Sequence, residues 1–400
     1  MENAPPLDPL GAEFVAIAFG IERRVPGFVD AYVGPPAART AALADAADPQ
    51  TLLARTERLA ARVAREPMAE GRRDFLTSQL RAMAATLRRL GGEIFPYVDE
   101  VRLLFDIEPT PTPEARFDEA IRDLAALLPG EGPVGPRMVA WRQGYAIPPE
   151  TALRLIDLIA PELRRRTEAI VTLPPDESVE FALVSDQPWS GYNWYLGGGR
   201  SRVELNTDLP IYAFRLTDLL AHEAYPGHHT EHALKERLYR FGGRGEHAIQ
   251  LINTPECVIS EGIATLAEEI AFSPDELARF RAEVVYPAAG VEGDPAREIA
   301  IAAAQRALRA VPGNAALLLH AEGREPEDVV AYLRRYALSS EGEARQRLRF
   351  ISDPLWRAYI FTYHAGDDLL GAWSEAAGAA SRRDRCRTLL TEPVTPSWAA

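Results

Sequence analysis

Apolar residues recur every three to four positions over most of this 400-residue chain. Residues 51–66 (TLLARTERLAARVARE) and 72–90 (RRDFLTSQLRAMAATLRRL) show the period most plainly, and their Ala, Leu and Arg add intrinsic helix preference. Pro67 and the Gly91-Gly92 pair close these two segments. The same period predicts helices over 95–105, 113–128, 149–171, 275–285, 296–310, 325–338 and 353–377. No repeat of fixed period stands out, and the Pro-rich breaks near 108–113, 129–136 and 172–176 are only loop-sized. A single mainly α domain is expected, with a helical N-terminal part to about residue 175 and a second part from about 176 to 380.

One stretch follows a different rhythm. Residues 177–185 (ESVEFALVS) alternate roughly with period two, and Tyr192-Asn193-Trp194-Tyr195-Leu196 follows. Gly197-Gly198-Gly199 then turns the chain into Arg202-Val203-Glu204-Leu205-Asn206. Aromatic and β-branched residues on both sides of a glycine turn predict a small antiparallel sheet.

Composition narrows the class. The chain is 47% hydrophobic and 26% charged, ordinary for a globular protein. Its 58 acidic residues outweigh 44 basic ones, a net charge of −14 that argues against nucleic acid or an anionic membrane as partner. Two cysteines, Cys257 and Cys386, supply neither a disulfide scaffold nor a cysteine metal cluster. The first residues carry no basic n-region or apolar h-region, and no run of about 18 apolar residues occurs, so a soluble, cytoplasmic protein is expected. Lys235 is the only lysine; the other 43 basic residues are arginine.

Candidate chemistry is concentrated in a histidine cluster. Four of the seven histidines, His222, His228, His229 and His232, lie within eleven residues, and Glu223 sits beside the first. A helical H-E-x-x-H places two imidazoles one turn apart with the glutamate next to a metal as base. Here Pro226 occupies the i+4 position, and in a regular helix His228 would lie about 240° round from His222. Pro226 has no N–H to continue the helix and disfavours the α conformation at Tyr225, while Gly227 accepts unusual backbone angles. The helix is therefore expected to break at 225–227 and restart, returning a later histidine to His222. Spacing alone leaves His228 and His229 equally eligible. The plainer alternative is a helix–turn–helix with solvated histidines.

A third ligand is sought among carboxylates. Glu261 projects away from the apolar stripe of Ile259, Ile263, Leu266 and Ile270, and Gly262 after it costs about 1 kcal/mol in a helix, which signals a close approach. A place on the wet face, like that of Glu268 and Glu269, explains Glu261 equally well.

The segment His222-Glu223-Ala224-Tyr225-Pro226-Gly227-His228 resembles the H-E-x-x-P-G-H signature of the bacterial domain of unknown function 885 family. Arg202–Thr207 resembles that family's strand ending in Asn-Thr, Glu261-Gly262-Ile263-Ala264 its Glu-Gly-Trp-Ala with Ile for Trp, and Tyr363-His364-Ala365-Gly366 its Tyr-x-x-Gly. The likeness spans roughly 190–370. It implies a large multi-helix metallopeptidase fold of the gluzincin, carboxypeptidase Taq-like kind, with His222, His228 and Glu261 as ligands of one Zn²⁺ per chain and Glu223 as general base.

The function expected is hydrolysis of short peptides. Zinc would polarise the scissile carbonyl and acidify water, Glu223 would take up the proton, and Tyr363 would steady the developing oxyanion. Tyr363 could instead be a core tyrosine, and His364 could take its role. The predicted hairpin offers an edge strand to an extended peptide. Two rivals stand beside this reading: hydrolysis of a non-peptide amide such as an N-acyl amino acid, and a structural metal closed by His229 or His232 in a non-catalytic protein. A carboxypeptidase would need a cation for the substrate carboxylate, for which Arg200, Arg202, Arg345 and Arg349 are available.

Overall fold

The computed structural model describes residues 4–187, 189–375 and 378–399. The chain is 65% helical, with three small sheets among the described residues, so the mainly α class holds. Proline begins helices here more often than it ends them. Pro9, Pro49, Pro149, Pro255, Pro274 and Pro326 sit in the first turn, where a missing N–H leaves nothing unpaired. Side chains cap several starts: Asp48 accepts from the Thr51 N–H at 2.7 Å, and Ser273 and Ser340 each form a reciprocal box with the glutamate three residues on.

Most predicted helices are present with shifted ends, such as Pro49–Val63, Glu70–Leu90 and Pro149–Glu168. The segment at 275–285 starts as Pro274–Phe280 and widens into a π-helical turn, Arg281–Val285. The one at 353–377 is not a single helix. The Asp353 carboxylate accepts from the Leu355 N–H at 2.8 Å, turning the chain through 353–358 before a 3-10 turn at Tyr359–Phe361 and a helix over Thr362–Glu375. The predicted end at 376–377 lies outside the described residues.

Seven strands occur among the described residues: β1 (Val29–Tyr32), β2 (Ala146–Ile147), β3 (Ser178–Val184), β4 (Gly191–Tyr195), β5 (Arg200–Asn206), β6 (Ile211–Tyr212) and β7 (Ile249–Leu251). The expected hairpin is β4–β5, turned by Gly197, Gly198 and Gly199 at φ of 79°, 68° and 71°, angles that exclude most other residues. The sheet is not wholly antiparallel as expected. Its order is β3-β5-β4, and β3 runs parallel to β5 from Ser178↔Arg200 to Val184↔Asn206. The strand with the strongest buried alternation (Ser201, Val203, Leu205) takes the centre, and β3, half-buried along most of its length, takes an edge. The Asn206 amide donates to the carbonyls of Gln187 and Trp189, both at 2.9 Å, and holds the loop that crosses from β3 to β4.

Helix Pro255–Ala271 ties the interior together. Its Ile259, Ile263 and Leu266 belong to one core with Leu216, Leu220 and Leu389, while Cys257 and Val258 belong to a second with Val101, Val311 and Phe361. A third core joins the N-terminal Phe14, Ile17 and Leu80 to Ile249 and Leu251 of β7. The close approach signalled at Gly262 is real. A Cβ there would lie 2.8 Å from the Gly366 carbonyl oxygen and 2.7 Å from Leu370 Cδ1, so helices Pro255–Ala271 and Thr362–Glu375 cross on glycine.

Candidate metal centre

Helix Ala213–Glu223 ends one residue after His222, because Ala224 (φ −120°, ψ −83°) leaves helical space; a second helix, His228–Arg240, starts after Gly227. The break lies at 225–227, where Pro226 removes an N–H and Gly227 admits close contact. A Cβ on Gly227 would sit 1.9 Å from the His222 carbonyl oxygen and 2.4 Å from that of Ala221. The loop is stitched by Gly227 N–H to Ala221 at 3.0 Å and Thr230 N–H to Ala224 at 3.2 Å. The result folds the start of the second helix onto the end of the first. The His222 and His228 rings lie 4.8 Å apart at 87°, and ligand atoms of His222, Glu223 and His228 all fall within 4.8 Å of one another.

Glu261 enters from helix Pro255–Ala271. It is buried, so it is not on the wet face; one carboxylate oxygen accepts from the Tyr359 hydroxyl at 2.9 Å. The other has no hydrogen-bond partner among the described residues and lies 3.8 Å from His222 Nε2. The Asn193 amide of β4 donates to the Glu223 carbonyl at 2.6 Å, anchoring the end of the histidine helix to the sheet. Gly191 on the same strand leaves space beside the Glu223 carboxylate, 3.5 Å from where a Cβ would be.

The remaining histidines face elsewhere. His229 is fully buried, with Nδ1 2.8 Å from Ser201 Oγ and Nε2 2.8 Å from Glu177, so both ring nitrogens are engaged away from His222. His232 stacks on His228 at 5.9 Å and turns Nδ1 to the Gln250 amide. Neither closes a four-ligand site with His222 in this arrangement. Tyr363, 40% exposed, rests its ring against Tyr359 at 5.6 Å, and its hydroxyl bonds no described residue. His364 packs onto Gly313 and Phe361 instead, so it does not exchange roles with Tyr363.

Electrostatics follow from burial. The Glu223 carboxyl is pushed up to about 8 by burial and then by the Glu261 charge. Burial lifts Glu261 to about 7, with Glu231 and Asp30 adding to the rise. His222 is lowered to about 3 by burial and the neighbouring His228, and His228 to about 4 by burial and His232, so both imidazoles are neutral with lone pairs free. Although Tyr363 is 40% exposed, its surroundings shield the hydroxyl from water enough to raise it, helped by Glu261 and Glu223. Sequence patterns missed Asp30, whose carboxylate accepts from Tyr192 at 2.6 Å and whose charge reaches Glu261. They also missed Tyr359 as a partner of Glu261; the only hint was its helical spacing from Tyr363.

These donors suit a zinc-type cation. The grouped donors are His222, Glu223 and His228, and Glu261 adds a buried oxygen 3.8 Å from His222 Nε2 that has no hydrogen-bond partner among the described residues, which is costly to bury unless something binds it.

No protein-family model matches the chain, and no curated protein does. Several solved structures resemble it, two of which follow. One, from Colwellia psychrerythraea, is called a "putative lipoprotein" and is 17% identical with a TM-score of 0.55, covering 87% of this chain. This chain spans 65% of that protein's length. The other, from Shewanella oneidensis, is called "a putative lipoprotein of unknown function"; it is 12% identical with a TM-score of 0.52, covering 98% of this chain and 82% of its own. What is shared is the fold alone. The resemblance to the domain of unknown function 885 family is thereby overturned, since no family model supports it and the structural neighbours carry a different description; a short motif set by one proline and one glycine is weaker ground than a whole-chain match. The cytoplasmic expectation falls too, because both neighbours are described as lipoproteins, a membrane-anchored class. No helix among the described residues is long and apolar enough to cross a membrane.

Proposed function

We propose that this protein is a zinc-dependent hydrolase that cleaves peptide bonds in short peptides, with His222, His228 and Glu261 holding one Zn²⁺ and Glu223 as general base. The observation that carries the reading is the buried, partnerless Glu261 oxygen 3.8 Å from His222 Nε2, beside a histidine pair that shares its space with a second carboxylate. Zinc would supply a Lewis acid for the scissile carbonyl and acidify water.

The chain's own residues would do the rest. Glu223, set next to the ligands yet free of a cation partner among the described residues, accepts the proton of the attacking water and returns it to the leaving amine. Its raised affinity for a proton suits the second half of that task. Tyr363 offers a free phenol on the same side as Glu223 and Glu261, where it can donate to the developing oxyanion. β4 is an edge strand with Gly191 beside Glu223, open to an extended backbone.

A non-peptide amide would use the same machinery and is separated only by substrate choice. A purely structural metal is disfavoured by His229, whose nitrogens are both engaged. Of the arginines considered for a substrate carboxylate, Arg202 is paired with Glu204 at 3.1 Å and Arg345 with Glu327 at 2.9 Å, which leaves those two already neutralised.

The test is Glu223→Gln, assayed on a peptide found by library digestion with the wild type. Metal content should be unchanged, and turnover should fall by about 10²–10⁴-fold with little change in KM. Near-wild-type turnover with zinc in place removes Glu223 as the base and the mechanism with it.

A further inference from the structure

Lys235 is the only lysine among 44 basic residues, and it is 3% exposed. Its ammonium donates to one oxygen of Glu231, itself 1% exposed, and lies 4.0 Å from Glu256. The other Glu231 oxygen accepts from the Ser260 hydroxyl at 2.6 Å, and Ser260 Oγ lies 3.2 Å from His228 Nδ1. A hydroxyl has one hydrogen, and here it is given to Glu231, so toward His228 the serine oxygen can only accept. Nδ1 must then carry the hydrogen, and the Nε2 lone pair is left free.

The geometry points to Ser260, Glu231 and Lys235 as a positioning chain that holds His228 in the Nε2-ligating tautomer and ties it to the helix carrying Glu261. This inference rests on the metal reading above for its purpose, though not for its geometry. The links follow the helical repeat: Glu231 is three residues beyond His228, Lys235 four beyond Glu231, and Ser260 immediately precedes Glu261. Each link fixes the next. Lys235 keeps Glu231 charged, Glu231 orients the Ser260 hydroxyl, and Ser260 sets the imidazole. Partners behind a ligating histidine commonly fix its tautomer and ring angle in this way.

The chain uses arginine at every other basic position, and the space beside this one ammonium is small. The cavity beside Lys235, lined also by His232, His247, Gln250 and Glu256, has a volume of about 10 Å³. That is room for about one water. A guanidinium would set its rigid fork of donors differently from the compact ammonium that Glu231 and Glu256 flank.

The first test is made without metal. In the ¹⁵N spectrum of the metal-free protein, His228 should show the Nδ1–H tautomer, and Ser260→Ala should abolish that preference while the circular dichroism is unchanged. Zinc binding to Ser260→Ala should weaken by about 10–100-fold, with Ser260→Thr restoring it. Lys235→Arg, read by the same spectrum, should also lose the tautomer preference. An Nε2–H tautomer in the wild type, or a Ser260→Ala variant with the wild-type tautomer, overturns the proposal. If the wild type takes up no zinc, the metal reading fails, yet the tautomer measurement still decides whether the chain positions His228.

Discussion

Gly227→Ala should damage the metal centre more than any other single methyl group. The added Cβ would lie 1.9 Å from the His222 carbonyl oxygen, against 3.4 Å for ordinary contact, so about 1.5 Å must be opened. Backbone stands on both sides: Gly227 immediately precedes His228, and the oxygen it meets belongs to His222. Relief therefore comes from moving the two ligands apart. Zinc–histidine bonds of about 2.0–2.1 Å tolerate roughly 0.2 Å of error, so a shift of this size should weaken zinc binding by at least about 10²-fold. Overpacking against main chain should also cost about 3 kcal/mol of stability in the metal-free protein, the upper end of the usual range. Chelator competition gives the first quantity and denaturant unfolding the second. An alanine variant that binds zinc within threefold of wild type would refute the placement of the two histidines across this break.

Three further outcomes are expected. His229→Ala should keep the metal, because its ring bonds Ser201 and Glu177, but should lose roughly 3 kcal/mol of stability by breaking a buried, hydrogen-bonded pair; dialysis and unfolding curves separate the two effects. Glu261 and Glu223 hold their protons up to about 7 and about 8 in the metal-free site, so zinc must displace protons at low pH. Zinc affinity should then fall as pH drops through 8 and 7, and calorimetry in buffers of different ionisation enthalpy should find proton release near about pH 6 that vanishes above about pH 9. The sign for the metal-free fold is opposite: carboxyls raised from 4.5 stabilise it when protonated, and that stability is lost as pH rises from 4.5 through 8. Tyr363→Phe should leave zinc and KM near wild type and lower turnover by about 10²–10³-fold, and an unchanged turnover excludes it as the oxyanion donor.

The break at 225–227 was legible because Pro226 and Gly227 each impose a local backbone constraint. Which histidine returns to His222 was not legible, since it depends on the angles at Ala224 and Gly227 and on where His229 finds partners. Those partners, Ser201 and Glu177, are 28 and 52 residues away. Gly262 announced a close approach, but nothing local named Gly366 as the other side of it. Helix Pro9–Glu22 went unseen for the opposite reason: Phe14, Val15, Ile17, Ala18, Phe19 and Ile21 are all buried, so it presents no polar face and no period. The parallel pairing of β3 with β5 is likewise a property of which strand is most deeply covered, which alternation within β3 does not encode. Lys235 was visible as an oddity of composition, and only its buried contact with Glu231 gives it a role.

The central claim is that His222, His228 and Glu261 converge on one cation with Glu223 left beside it. Anomalous diffraction at the zinc edge, from crystals grown with about one equivalent of zinc, tests this most directly. The account predicts a single peak within about 2.0–2.2 Å of His222 Nε2, His228 Nε2 and a Glu261 oxygen, with Glu223 outside bonding distance. No peak, or a peak bonded through His229 or through Glu223 in place of Glu261, would contradict it.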